Sequence, residues 1–323
     1  MKVFLPCLVV VTMVFLGCRY KTSSEPASTT FENLEAVQTR IFTGTDVDYA
    51  LSYNSFSLVN DLEQVVERVS RSFKKDTLWC SLTDEVAGLF VCIGNSKPAQ
   101  HIPLNRAAIF AEGRPALGVP NSGVIVPPAT SVSGYEKSSG HDLTELSLKT
   151  FFERLKDSCP DASCILPGEM LFAQSVMAEM DAIYPNGYSV VSVDTSSGEQ
   201  LKRSVAHEVS HGQFFQQPQY RAAVYGFWNS LAAESRLAAS KMVGQNYDVV
   251  NVDLLINEFH AFVLDRKFAG VPAEYLDQLR QSDPEQAAAL GHLSQQSENL
   301  RAALLGSLRS AVPVVLHEAM TGN

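Results

Sequence analysis

The sequence contains no cluster of lysine and arginine and no apolar segment of comfortable membrane-spanning length. Acidic residues outnumber basic ones by 35 to 25, for a formal charge of −10. Such a chain offers no positive stripe for a phosphate backbone, which argues against nucleic-acid binding. There is no visible internal repeat and no linker after residue 30. What is present is a chain of 323 residues, 46% hydrophobic, which suffices for a substantial core.

The first apolar run, at residues 3–16, has the length of a signal-peptide core and follows a single lysine. It ends in FLGC, which resembles a bacterial lipobox, where a small residue precedes the cysteine that becomes lipidated. The resemblance implies a lipoprotein signal peptide at residues 1–17 and a lipid on Cys18. Residues 18–30 then form a flexible polar tether, and the exported protein is anchored to a membrane of the bacterial cell envelope, in the periplasm or at the outer membrane. A plain secretory signal with an incidental cysteine is the alternative.

Four cysteines remain when the signal segment and Cys18 are set aside. An even number of cysteines in an exported protein indicates disulfides. Closeness in sequence predicts two pairs, Cys80 with Cys92 and Cys159 with Cys164. Zinc binding by these four residues is the weaker alternative, because their spacings contain no CxxC.

Hydrophobic periodicity predicts an α+β fold in one domain over residues 31–323, with a mixed α/β part at 31–196 and a helical part at 197–323. In the mixed part, LWCSL and LFVCI predict a hairpin and a small sheet, and YSVVSVDTS at 188–196 predicts a strand. The stretch 94–140, rich in glycine, proline and serine, predicts loops and short strands.

The remaining segments have helical spacing. Asp142 is predicted to cap the helix at 143–156, and Ser197 with Gln200 to form a capping box before the helix at 198–216. Residues 219–243 are predicted to form one helix that stops at Gly244. The other predicted helices are 61–73, 168–182, 252–268 and a long one from Ser282 to about residue 309.

The stretch AHEVSHGQFF at 206–215 contains the residue types and spacing of a catalytic metal site. Residues four apart lie on one face of a helix, so His207 and His211 can present two imidazoles to one ion. Glu208 would then serve as general base for a metal-activated water. The apolar neighbours Val209 and Phe214 indicate a buried helix, on which these polar groups need partners. The alternative is a solvated polar face or a satisfied pair of core histidines.

A third ligand must come from elsewhere, and Glu234 and Glu258 are candidates because both sit in apolar helical stripes. If the helix at 219–243 folds back antiparallel on the motif, Glu234 lies roughly 25 Å along its axis, against roughly 9 Å for His211. Glu234 would then overshoot the site. An oblique crossing or a broken helix would remove this argument.

HEVSH followed by Asn257-Glu258, with Ala261 three residues on, resembles the gluzincin class of zinc metallopeptidases. The resemblance implies a zincin-like fold in which His207, His211 and Glu258 bind Zn²⁺ and Glu208 is the catalytic base. Thermolysin-like members carry an aspartate four residues after the ligand glutamate, where this chain has Phe262. Asp265 is the candidate that would orient a histidine instead.

The sequence therefore predicts an exported, lipid-anchored zinc metallopeptidase acting on a peptide or protein substrate. If the site is a peptidase, the strand at 188–194 is the candidate edge strand along which the substrate backbone pairs, although a buried central strand would have the same sequence pattern. Two alternatives stay open. One is a non-catalytic envelope lipoprotein that binds a partner, and the other is a structural zinc site closed by Glu234.

Overall fold

A six-stranded mixed sheet organises the first half of the chain. The computed structural model describes residues 39–128, 140–196 and 201–311. The strands lie in the order β1-β2-β3-β4-β6-β5, with β2–β3 and β4–β6 parallel and the other neighbours antiparallel. Their bounds are β1 Thr39–Phe42, β2 Asp48–Ser52, β3 Thr77–Leu82, β4 Leu89–Gly94, β5 Gly140–Thr144 and β6 Ser189–Asp194. The mixture of sheet and helix confirms the α+β prediction.

Helices pack around this sheet and continue beyond it. A π turn at Phe172–Val176 joins α4 and α5. Among the described residues, no helix is both long and apolar enough to span a membrane. The helix bounds are α1 Leu62–Ser72, α2 Lys97–Glu112, α3 Glu145–Ser158, α4 Pro167–Leu171, α5 Met177–Ile183, α6 Leu201–Gln216, α7 Pro218–Ser230, α8 Ala233–Val243, α9 Val252–Leu264, α10 Ala273–Ser282 and α11 Pro284–Ala311.

Alternation along the central strands gives the sheet two apolar faces. On β4, Phe90 and Cys92 join one core with α2, α3 and α5, whereas Val91 and Ile93 join a second core with α1 and α6. A third core lies among α7, α8, α9 and α11. Helix α6 contributes to both the second and third cores, since Val205 faces the sheet and Phe214 faces the helices. This shared position places the motif at the junction of sheet and helices.

Several local predictions are confirmed. Helix α1 lies within the predicted 61–73, and β3 and β4 form the predicted hairpin. Cys80 stands opposite Cys92 in the antiparallel register, and both predicted cysteine pairs, Cys80–Cys92 and Cys159–Cys164, are at bonding distance. The predicted lipobox, Cys18, the tether and the Ser197–Gln200 capping box lie outside the described residues.

The prediction of loops and short strands over 94–140 is wrong for its first part, which forms α2. Ser96 caps this helix by accepting a hydrogen bond from the Ala99 amide, and Pro98 occupies the first turn, where its missing N–H costs nothing. The helix is buried on nearly every side, so its sequence shows no amphipathic period. Its two prolines and the lack of an apolar stripe explain why the sequence did not predict this helix.

The prediction that Asp142 caps a helix is also wrong. Residues 140–144 form β5, and Thr144 caps α3 in a reciprocal box with Ser147. Asp142 is therefore a strand residue with a buried side chain, 7% exposed. This correction places its carboxylate beside the motif helix.

Residues 219–243 form two helices and not the one predicted. The chain leaves α7 after Ser230 and starts α8 at Ala233, with Leu231 and Ala232 in extended conformations between them. Glu234 lies in the first turn of α8 and is exposed. Because this segment is not one straight helix, the axial distance of Glu234 no longer applies. Glu234 is nevertheless exposed and belongs to neither group of described residues that could hold a metal ion.

The strand at 188–194 is internal, which corrects the edge-strand prediction. β6 lies between β4 and β5, and among the described residues β5 is the strand at that edge of the sheet. Local sequence indicates that a strand exists but carries no information on strand order.

Gly212 lets α6 approach β4 closely, and this gives a stability prediction. A Cβ at Gly212 would lie 2.5 Å from Cδ1 and 2.7 Å from Cδ2 of Leu89, whose side chain is fully buried in the core. We expect Gly212→Ala to lower the free energy of unfolding by about 1–3 kcal/mol through overpacking. Gly226→Ala in α7, where nothing lies within 4 Å, is the matched control and should raise it by about 1 kcal/mol. Urea unfolding of both variants measures the difference; equal effects would refute the close-packing argument.

Candidate metal centre

The motif helix and α9 bring the predicted ligands together. Nitrogen atoms of His207 and His211 and a carboxylate oxygen of Glu258 all lie within 4.8 Å of one another. Nε2 of His211 is 3.9 Å from Oε1 of Glu258, and the two imidazole rings are 4.8 Å apart at their centres. A set of two imidazoles and a carboxylate at this separation could hold a metal ion.

Glu258 is buried in a way that calls for a cation. Its side chain is fully buried, and neither carboxylate oxygen has a hydrogen-bond partner among the described residues. Burial, with repulsion from Asp142 and Glu112, raises the pKa of Glu258 well above its usual range, and the nearby Tyr247 hydroxyl opposes this rise without reaching hydrogen-bond geometry. An unpartnered buried carboxylate is costly, and a divalent ion between Glu258 and the histidines would remove that cost.

Glu208 lies next to the ligands, against strand β5. Its side chain is 6% exposed and lines a cavity together with His207. A Cβ at Gly140 would overlap the Glu208 carboxylate, so only glycine at that strand position leaves room for it. Burial raises the pKa of Glu208 well above its usual range, and the charges of Asp142 and Glu258 add to the shift. The carboxylate is thus poised to hold a proton beside the ligand set.

Asp265 occupies the position that sequence analysis suggested for it. Its Oδ2 is 3.0 Å from Nδ1 of His207, which leaves Nε2 for the ion. Nη2 of Arg203 donates to the Asp265 carbonyl at 2.7 Å and so ties the end of α9 to α6. Phe262, which takes the place of the family's aspartate, packs instead on the His207 ring at 5.4 Å.

Asp142 is the site residue that sequence analysis missed. Its Oδ2 is 3.8 Å from Nδ1 of His211 and accepts a hydrogen bond of 3.4 Å from Nδ2 of Asn257, the neighbour of Glu258. Asp142, Glu208 and His211 also form a second group whose ligand atoms lie within 4.8 Å of one another. Strand periodicity in GHDLT, which puts Gly140 and Asp142 on one face, is the signal that could have identified it.

The position of Asp142 predicts a weakened metal site when it is changed. Partners that orient a ligating histidine typically contribute 10–100-fold in metal affinity. We expect Asp265→Asn, which changes the hydrogen-bond partner of His207, to weaken zinc binding by about 10–100-fold, measured by competition with a chromophoric chelator. Asp142 lies 3.8 Å from Nδ1 of His211 and does not hydrogen-bond to it, so Asp142→Asn should act through the lost charge and weaken binding by up to about 10-fold. Asp253→Asn, on the exposed ion pair with Arg221, should leave the affinity unchanged. If the Asp142 and Asp253 variants behaved alike, Asp142 would have no role in holding His211.

A second polar group faces the ligands from the loops after α2 and α8. Nη2 of Arg114 pairs with Glu112 at 2.5 Å, and its guanidinium lies 4.6 Å from the centre of the Tyr247 ring. Burial raises the pKa of Glu112 to about 8 despite that pairing. Burial and the charge of Glu258 raise the pKa of Tyr247 well above its usual range, so its hydroxyl remains a donor. Both Arg114 and Tyr247 line the cavity.

Other residues considered from the sequence lie outside this group. The Tyr225 hydroxyl bonds to Asp253, and Arg221 pairs with the same carboxylate at 3.0 Å. His260 is fully buried and stacks on Phe214 at 5.5 Å. Glu234, the rival third ligand, is exposed on α8.

The ligand set opens onto a cavity of about 1270 Å³. His207, Glu208 and Asp265 form part of its wall, whereas His211 and Glu258 lie behind them. An ion held by the three ligands would therefore be reached from the side of His207 and Glu208. The cavity thus gives access to the ligand set from this side, and an open position of that kind is what a catalytic zinc site would need.

Comparison with protein-family models, curated proteins and solved structures finds no match to this chain. The interpretation of the site therefore depends on its own geometry and chemistry.

Proposed function

We propose that this protein is a zinc-dependent hydrolase that cleaves peptide bonds. The observation that carries the proposal is the open ligand set of His207, His211 and Glu258 with the carboxylate of Glu208 on the same cavity wall. Two imidazoles and one carboxylate, with an accessible fourth position, are the ligands typical of catalytic zinc. The resemblance to gluzincins rests on the same four residues.

The proposed chemistry divides between the ion and Glu208. Zinc bound by these residues would supply Lewis acidity and an acidified water. Glu208 accepts a proton from the attacking water at its carboxylate and later delivers it to the leaving amine. Its position beside the ligand set, on the wall of the same cavity, suits both steps. Gly140 keeps the space in which Glu208 sits.

Tyr247 is the proposed donor to the carbonyl oxygen of the substrate. Its hydroxyl stays protonated, faces Glu258 and lines the cavity. A fixed donor aimed at developing negative charge lowers the barrier to acyl transfer. The stacked guanidinium of Arg114 holds the Tyr247 ring in this position.

Strand β5 is the proposed guide for the substrate backbone. It lies at the edge of the described sheet, and its residues Gly140 and Asp142 flank Glu208 and His211. An extended peptide that adds to this edge would have its backbone fixed beside the base and the ligands. We further propose that the protein is exported and held at the cell envelope through a lipid on Cys18.

The test is zinc content and peptide hydrolysis measured together on the wild type and on Glu208→Gln. A hydrolase binds zinc in both proteins and turns over peptide only in the first.

A further inference from the structure

The cavity next to the metal centre has a charge opposite to that of the chain. Outside the metal centre, its described lining carries Arg114, Arg203 and Lys267 and no carboxylate. The lining has two acidic residues, and both are part of the metal centre. Glu208 is the proposed base, and Asp265 forms a hydrogen bond with His207. Acidic residues outnumber basic ones by 35 to 25 over the whole chain, so this wall does not reflect the average composition.

Two of these cations flank the histidine that faces the cavity. Arg203 precedes His207 by one helical turn, and its guanidinium touches the end of α9 at the Asp265 carbonyl. Lys267 follows Asp265 by two residues, with Nζ 6.0 Å from the centre of the Phe262 ring. Among the described residues, neither cation forms an ion pair with a side-chain carboxylate, so their charges are directed to the solvent and to whatever fills the cavity.

Arg114 supplies positive charge from the opposite wall. It is paired with Glu112, but a guanidinium has five donors, and this ion pair uses few of them. Burial would lower the pKa of Arg114, yet Glu112 and Tyr247 hold it above its ordinary value, so the group is charged at any physiological pH. The aromatic residues Tyr247 and Phe262 line the same cavity and lie against two of these cations, Arg114 and Lys267.

We propose that the cavity selects peptides that carry a carboxylate close to the scissile bond. The inference rests on the proposed function, since it names the substrate class of that same site. The carboxylate belongs either to an acidic side chain or to a free C-terminus, since both present the same chemistry to Arg114, Arg203 and Lys267. Arg203 and Lys267 have no carboxylate partner among the described residues and can pair with such a group directly, whereas Arg114 would share its guanidinium between Glu112 and the peptide.

The experiment measures equilibrium binding to the zinc-loaded Glu208→Gln protein, so that no peptide is consumed. One pair of fluorescent peptides differs only by glutamate against glutamine and carries an amidated C-terminus. A second pair carries glutamine and differs only by a free acid against an amide. We expect the carboxylate member of at least one pair to bind roughly tenfold more tightly at low salt. The pair that shows the preference identifies the source of the carboxylate.

Single substitutions distinguish the effect of the cavity cations from that of the overall charge of the protein. Lys267→Gln and Arg203→Gln should each reduce the preference by about twofold to fivefold. Lys202→Gln is the matched control, because Lys202 is the neighbour of Arg203 on α6 but pairs with Glu63 away from the cavity. Added salt should also reduce the preference, because the Debye length falls from about 10 Å at 0.1 M to about 3 Å at 1 M.

Failure of this inference can be told from failure of the proposed function. Equal binding of acid and neutral peptides at low salt, or an equal loss in the Lys202 and Lys267 variants, overturns the selectivity. Zinc-loaded wild type that cleaves every peptide without preference keeps the hydrolase and overturns the selectivity. A clear preference in binding with no cleavage of any peptide keeps the selectivity and overturns the hydrolase.

Discussion

Replacing Glu208 with glutamine is expected to leave zinc bound and to lower kcat by about 100-fold to 10,000-fold. Glutamine keeps the size of the side chain, so the space beside Gly140 remains filled and the fold is not disturbed. What is lost is the ability to take a proton from water and return it to the leaving amine. Elemental analysis and a quenched fluorescent peptide assay on the same preparation measure the two quantities.

A matched control for this variant is Glu234→Gln. Glu234 is also a glutamate on a helix of the C-terminal half but is exposed and away from the ligand set, so turnover should be unchanged. A Glu208→Gln protein that retains full activity would refute the general-base role. A wild type that binds zinc and a partner but turns over nothing would favour the non-catalytic lipoprotein.

Replacing Glu258 with alanine is expected to remove zinc from the protein. Loss of an outer partner costs about 10–100-fold in metal affinity, and loss of a ligand itself should cost more. Glu234→Ala, measured side by side, should retain zinc as the wild type does. Zinc content after dialysis against a weak chelator, and affinity by competition, distinguish the two variants. Zinc loss in Glu234→Ala alone would show that the third ligand is misassigned.

The unfolding temperature of the metal-free protein tests the role of Glu258 independently. In the absence of an ion, Glu258 is a fully buried carboxyl group close to Asp142 and Glu112, and neither of its oxygens has a hydrogen-bond partner among the described residues. The isosteric Glu258→Gln variant replaces this ionisable group with a neutral amide without leaving a cavity. We expect metal-free Glu258→Gln to unfold at the same temperature as the metal-free wild type or higher, whereas zinc should raise the unfolding temperature of the wild type alone. A stabilisation of both proteins by zinc would contradict the ligand assignment.

The part of the site on α6 could be predicted from local spacing. His207 and His211 are four residues apart, and this spacing places them on one face whatever the helix packs against. Glu208 follows from the same helix geometry. The cysteine pairs followed from closeness in sequence, and the helical second half followed from its 3.6-residue period. Each of these depends on residues that are near one another along the chain.

The rest of the site depends on contacts between distant segments. Asp142 lies near His211 only because β5 pairs with β6 at the edge of the sheet. The pattern GHDLT could have indicated a strand, but not which strand it pairs with or which helix it borders. Tyr247 and Arg114 meet because the loops after α8 and α2 converge. Neither residue stands in a motif, so no local pattern could have selected it.

The sequence by itself determined the helix that carries His207 and His211, the cysteine pairs and the presence of both sheet and helix, because periodicity and short spacings are local properties of the backbone. Tertiary structure alone decided that α2 is a helix, since a segment buried on all sides has no amphipathic stripe. It also decided which glutamate meets the histidines, because the break between α7 and α8 exposes Glu234 while α9 packs Glu258 against α6. Strand order, and with it the edge that borders the site, is likewise a property of the assembled sheet.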